Sequence, residues 1–215
     1  MDGSRTPAGG GTALNRRMAA ASNLEQEVMA SKEKDYFQAL YEVARVVNAS
    51  LEPEEVMNQI VESVRQAMGV KAANMRLLDR SRERLLLGGC AGLSEDYQRK
   101  GPILVSESGL DRKALAGETV YLADVQDDPS FQYPDRAREE GIHSILVVPL
   151  MVENQAIGVL RAYSGEVREF SQDEMMFLQA VANLSAIALE NARLHAALKR
   201  DYDLLVQHEY RLDDN

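Results

Sequence analysis

The stretch that most restricts how this chain can fold is residues 143–164, HSILVVPLMVENQAIGVLRAYS. Two apolar runs flank a polar Glu153-Asn154 step, the pattern of two antiparallel strands joined by a tight turn. Side chains alternate across a strand, so a slip of one residue would exchange its two faces; a hairpin with unlike faces therefore has one workable register. Here Leu160 and Ala162 share one face, while Val159, Arg161 and Tyr163 share the other. An arginine and a tyrosine stand where a plain core strand carries valine, so this face is expected to floor a ligand site.

The 215 residues, 45% of them hydrophobic, suffice for one domain of ordinary size with extensions. A net charge of −10 argues against sequence-independent nucleic-acid binding and against docking on anionic lipid. No run approaches the roughly 18 apolar residues of a spanning helix, so no membrane partner is expected. The single cysteine, Cys90, excludes an internal disulfide and fits a reducing compartment, hence a cytoplasmic protein. Residues 1–23, rich in glycine and alanine, read as a flexible leader. The domain proper is expected over 24–198, with 199–215 a helical extension or a loose tail.

Helical spacing over 24–48 lines up Phe37, Leu40, Tyr41, Val43, Ala44 and Val47. Pro53, followed by two glutamates, opens a second helix with the stripe Val56, Ile60, Val64 and Met68, and Gly69 closes it. Residues 71–79 and 84–91 read as strands around a charged turn, with Asn74, Arg76 and Leu78 alternating against Ala73, Met75 and Leu77. A short strand is expected within 102–106 and another over 119–123. Ser108 caps a short helix ending near Gly117, and 134–140 form another, stopped by Gly141. Ser171 to Glu174 is a capping-box-like start for one long helix through Phe177, Leu178, Val181, Leu184, Ile187, Ala188, Leu194 and Leu198. The class is therefore α+β: a central antiparallel sheet of about five or six strands, long helices on one face, and short helices and loops covering a pocket on the other.

In that order and spacing the chain resembles a GAF domain. The resemblance is carried by Ala73-Asn74-Met75-Arg76-Leu77-Leu78-Asp79, Gly141 to Leu150, Ile157-Gly158-Val159-Leu160, Phe170-Ser171 and Ala188 to Leu194, and covers roughly residues 36–195. It implies a GAF/PAS-like fold and a small-molecule-sensing regulatory module in signal transduction, non-enzymatic, with its pocket between sheet and short helices and a signalling partner protein to act on. Fold alone does not name the ligand. Cyclic GMP is disfavoured: Phe170, Asp173 and Glu174 partly match the cyclic-nucleotide signature, but no Asn-Lys pair precedes them and the spacing is one residue short. A covalent bilin is disfavoured because Cys90 is followed by Ala91, not histidine. Reductase chemistry of the methionine sulfoxide type lacks a resolving thiol. The cofactor is thus left unknown.

The candidate ligand-binding residues are Arg76, Ser108, Leu110, Tyr121, Phe131, Tyr133, Ile145, Val147, Arg161 and Tyr163. The resemblance implies that the first strand neighbours the last strand of the hairpin, so the two guanidiniums come side by side and can hold a carboxylate or phosphate; against this, each can pair with an acid such as Asp79 or Glu166. The amides at Ser108 favour an anion or serve as an ordinary cap. The aromatic residues stack on a planar ligand or plug the space without one, and Leu110, Ile145 and Val147 supply apolar wall. His143 lacks a companion at metal-ligand spacing, so no metal is expected. His208-Glu209-Tyr210-Arg211 is a chance likeness to a phosphoacceptor box. Leu184, Ile187, Asn191, Leu194, Leu198 and Leu205 lie near seven-residue spacing and point to a homodimer through the N- and C-terminal helices. Two other readings stay open: a ligand-free GAF dimerisation scaffold, and a redox sensor or reductase working through Cys90.

Overall fold

A computed structural model describes residues 31–32, 34–47, 53–126, 128–129 and 131–213, the last nine by their backbone alone. The leader expected at 1–23 and the side chains of 208–211 lie outside the described residues. The chain divides into two units, Met1–Gln38 and Ala39–Asn215. In the first, residues 31, 32 and 34–38 are helical and Phe37 is exposed. In the second, helix α1 covers residues 39–47, with Ala39 and Val43 buried; Tyr41, expected in the stripe, faces solvent.

The rest of the second unit is α2 (Pro53–Met68), β1 (Ala72–Leu78), β2 (Arg84–Ala91), α3 (Glu95–Gln98), β3 (Ile103–Leu104), α4 (Gly109–Leu115), β4 (Val120–Leu122), α5 (Pro134–Glu140), β5 (Ser144–Val152), β6 (Gln155–Ser164) and α6 (Gln172–Asp213). The strands form one antiparallel sheet in the order β3-β2-β1-β6-β5-β4. The one helix the periodicity misses is α3, a single turn whose N-cap Ser94 accepts from the Tyr97 amide.

Two long helices cover one face. The α2 stripe Val56, Met57, Ile60, Val61, Val64 and Met68 is buried, and α2 touches β1, β2 and α6. The α6 helix starts on a reciprocal capping box: Glu174 N donates to Ser171 Oγ at 3.2 Å, and Ser171 N donates to Glu174 Oε2 at 2.8 Å. Its residues Phe177, Leu178, Val181, Ala182, Ala186 and Leu189 are buried. Glycines let elements approach closely. A Cβ on Gly158 of β6 would sit 2.2 Å from the Arg76 carbonyl oxygen on β1, and one on Gly89 would sit 2.7 Å from the Met57 backbone of α2.

The opposite face is closed by α3, α4, α5 and their connections. A buried cluster joins Leu93, Tyr97, Leu110, Ala114, Val125, Phe131, Ala137 and Ile142 of this cover to Leu85, Ile103, Ile145, Val147, Val159 and Tyr163 of the sheet.

Candidate functional site

Register decides which side chains meet beneath the cover. Strand β1 pairs with β6 so that Ala72 is opposite Tyr163, Asn74 opposite Arg161, and Arg76 opposite Val159. Residues directly opposite share a face, and diagonal neighbours lie about 7–8 Å apart, within reach of long side chains. Asn74, Arg76, Arg161 and Tyr163 are thus on the cover side, as the alternation within each strand predicts once the strand order implied by the resemblance is added. Arg76 and Arg161 are each only 2% exposed.

The two arginines are held differently. Arg161 Nη2 donates to Asp111 Oδ1 at 2.5 Å, and Arg161 Nη1 lies 3.4 Å from the Tyr163 hydroxyl. Its partner is therefore Asp111 of α4, neither of the acids the sequence suggested. Asp79 instead accepts from Ser81 and from the Glu83 and Arg84 amides in the β1–β2 turn. Arg76 Nη1 donates to the Leu85 carbonyl at 3.1 Å. Burial, then the nearby Arg161, pulls the Arg76 pKa down. For Arg161, burial works against the charge, but Asp111 and Tyr163 outweigh it and the pKa is raised.

Beside them stands a group that sequence reasoning missed. The Lys100 Nζ is 3.6 Å from the centre of the Tyr97 ring and 5.2 Å from that of Tyr133. Burial first, then Arg161 and Arg76, push its pKa down to about 6, against the opposing pull of Asp111 and Glu140. Glu140 is already bound to Ser94 through its amide at 2.9 Å and its hydroxyl at 2.5 Å. Tyr97 meets Tyr163 edge-on, centroids 6.4 Å apart at 82°. Buried side-chain atoms without a partner include both amide atoms of Asn74, Nε of Arg76, Nε of Arg161 and the Tyr97 hydroxyl. Buried polar groups are normally paired, because desolvation without a partner costs about 1–3 kcal/mol each.

The remaining expected residues divide. Ile145, Val147, Leu110 and Phe131 form apolar wall in the buried cluster. Tyr133 packs against it, with its hydroxyl donating to the Pro102 carbonyl at 3.1 Å. Ser108 is buried, but its hydroxyl is committed: it donates to Asp111 Oδ2 at 2.6 Å and accepts from the Asp111 amide at 3.3 Å. The anion expected at the start of α4 is thus a carboxylate of the chain itself. Tyr121 is a correction. It is 38% exposed and pairs with Leu146, outside the cover cluster, because Val120 and Leu122, its neighbours in the alternation, are the residues that turn inward. Burial pushes the Cys90 thiol up, which works against a reactive thiolate. Among the described residues no group of three or more His, Cys, Asp or Glu is placed to hold a metal, and no helix is long and apolar enough to cross a membrane.

A separate open cleft of about 890 Å³ lies on the helix side, lined among others by Asp79, Arg80, Arg82, Glu153, Arg193 and Arg200. There Arg193 is paired with Glu190 at 2.7 Å, so that cleft shares its cations with acids of its own.

A twisted antiparallel sheet backed by two long helices, with short helices closing charged side chains onto its other face, defines a small α+β domain built around a covered site. The chain belongs to the GAF domain family, whose model matches residues 50–190. It is 28% identical over 157 residues to a phosphoenolpyruvate-dependent phosphotransferase system protein of Escherichia coli strain K12, covering 73% of this chain and 21% of that one. It is 23% identical over 184 residues to the nitrogen fixation protein VnfA of Azotobacter vinelandii, covering 76% and 35%. The chain therefore spans about a fifth to a third of these relatives. Among solved structures, the GAF domain of an Acinetobacter phosphoenolpyruvate-protein phosphotransferase superposes with a TM-score of 0.64 at 24% identity, covering 74% of this chain and 94% of that one, a likeness of fold.

Proposed function

We propose that this chain is a regulatory module that senses a small anion, a carboxylate or phosphate, beneath the cover formed by α3, α4 and α5. The carrying observation is an imbalance: two fully buried guanidiniums, Arg76 and Arg161, with the half-buried Lys100 near them, share one buried ion-pair partner, Asp111, while the other nearby acid, Glu140, is bound to Ser94. The unpartnered atoms of Asn74, Arg76, Arg161 and Tyr97 are the donors and acceptors such an anion would engage. A ligand enters by displacing the cover, and α4 carries that movement to β5 and β6, on whose other face α6 lies. The module is non-enzymatic, cytoplasmic and regulatory: the ligand biases two arrangements of α6, read by a signalling partner.

A thermal-shift titration with sodium malonate and sodium phosphate tests this. At a hundredfold excess over the dissociation constant a ligand adds about 2.7 kcal/mol, or about 5–10 °C for a chain of this size. Arg76→Met is expected to abolish the shift while keeping the fold. If neither salt moves the melting temperature beyond a sodium chloride control, the sensing role is rejected.

A second reading has its own support. Asp111 already pairs with Arg161, and α6 leaves an apolar line open, with Ile187 57%, Leu194 50% and Leu198 69% exposed. A homodimer scaffold without ligand fits both facts, and an intact dimer that responds to no anion would favour it.

A further inference from the structure

We infer that the ligand of this site is an α-hydroxycarboxylate, its carboxylate taken by the Nε–H groups of Arg76 and Arg161 and its hydroxyl read by Asn74. This rests on the anion-sensing reading and narrows it, because a bare anion answers only part of what is left open beneath the cover.

The inventory of open atoms sets the class. Asn74, Arg76, Arg161 and Tyr97 are each at most 3% exposed. Among their side-chain atoms, Nδ2 and Oδ1 of Asn74, Nε of Arg76, Nε of Arg161 and the Tyr97 hydroxyl have no partner. The two Nε–H groups and the Asn74 amide nitrogen can only donate, and a carboxylate, with about four lone-pair sites on its two oxygens, can accept from them. Asn74 Oδ1 can only accept, and an ionised carboxylate has no proton to give it. Both ends of the amide are open, so turning it end for end leaves the same demand for one donor and one acceptor. Those ends sit on one carbon, which matches a carboxylate oxygen and a hydroxyl on the neighbouring carbon. The donor is a neutral hydroxyl, since an ammonium in its place would be repelled by two guanidiniums that share one acid, Asp111.

Placement brings these groups together. Asn74 stands directly opposite Arg161 in the β1–β6 ladder, and side chains so paired start about 4.5–5.5 Å apart at Cβ. Arg76 is the next residue of β1 on the same face, roughly 7 Å along the strand. Each guanidinium is anchored by another nitrogen, Arg161 through Nη2 to Asp111 and Arg76 through Nη1 to the Leu85 carbonyl. A ligand can therefore bind the Nε–H groups with the Arg161–Asp111 pair intact. Tyr97 comes from the cover, edge-on to Tyr163, the residue after Arg161 on its face of β6, and its hydroxyl can donate or accept.

Calorimetric titration of the purified chain at pH 7.5 with malonate, methylmalonate and tartronate tests this. The three dianions share one skeleton and carry hydrogen, methyl or hydroxyl on the central carbon. One buried hydrogen bond is worth up to about tenfold in affinity. Tartronate is expected to bind about tenfold more tightly than methylmalonate, which fills the same space without a donor. Asn74→Leu, close in volume but without polar atoms, is expected to melt at or above the parent, because it removes an unpaired buried amide. It should bind tartronate no more tightly than methylmalonate. Equal affinities of the parent for tartronate and methylmalonate overturn the inference, and so does a preference for tartronate that persists in Asn74→Leu. The first comparison uses the parent alone, so it decides the ligand class even if the variant does not fold. Binding of malonate or phosphate with no preference for tartronate leaves the anion sensor standing and refutes the hydroxycarboxylate. Binding of none of the four salts refutes both.

Discussion

An ordinary lysine titrates near pH 10.4, whereas burial and the Arg161 and Arg76 guanidiniums bring Lys100 down to about 6. Between those values the unfolded chain binds one more proton at this position than the folded chain, so its contribution to stability rises with pH across that window. Lys100→Met removes the penalty. In urea denaturation the variant is expected to exceed the parent in stability at pH 6–7, with the gap narrowing towards pH 10; a gap constant with pH would contradict a depressed lysine. Alternation places Arg161 with Tyr163, and Arg76 with Asn74, on one face of their own strands, because the period of a strand is a local property; that the two faces coincide follows from the β1–β6 pairing. Alternation does not reveal that Asp111 completes an ion pair with Arg161, nor that Lys100 turns inward. Arg99 and Lys100 are adjacent cations in a connecting segment; Arg99 pairs with exposed Glu95 while Lys100 lies over Tyr97. Which one turns inward depends on the one-turn helix α3, capped at Arg99, and on the turn of the chain at Gly101, whose φ is +111°.

At the scale of elements, two substitutions probe how strands and helices are joined. Gly158→Ala puts a Cβ against the Arg76 carbonyl and Leu77 Cα, backbone atoms that cannot rotate away. A loss of about 2 kcal/mol or more is expected by chemical denaturation, at the upper end of overpacking costs, since β6 must separate from β1 to make room. Ser171→Ala removes the acceptor for the Glu174 amide at the start of α6 and should cost about 1 kcal/mol in the same measurement. The sequence signals for these elements are strong where the pattern is long: α2, β2, α5 and the start of α6 lie where proline, glycine, alternation and the capping box put them. They are weak for α3, because four residues carry no period. Tyr121 shows the limit of a short strand: with three residues in β4, which side faces in depends on its register with β5.

At the scale of the whole molecule, the line of exposed apolar residues on α6 calls for a test. Leu184 is half-buried, and Ile187, Asn191, Leu194 and Leu198 continue the seven-residue repeat outward on a helix that runs to Asp213. If two copies pair there, the double variant Leu194→Glu with Leu198→Glu should sediment as a monomer where the parent sediments as a dimer, with the malonate response unchanged. A monomeric parent would refute the pairing. The sequence by itself determined the α+β class, the hairpin, the two long amphipathic helices and which residues share a face within each strand, because each follows from local periodicity and from glycine, proline and capping chemistry. Only the tertiary structure decided what meets that face. Asp111 lies on the seven-residue α4 and Lys100 in the segment after α3, both too short for a periodic signal, and Asp111 reaches Arg161 because the short helices fold back over the sheet. Their juxtaposition is a long-range consequence of burying the cover's apolar residues, and the charges follow where that burial carries them.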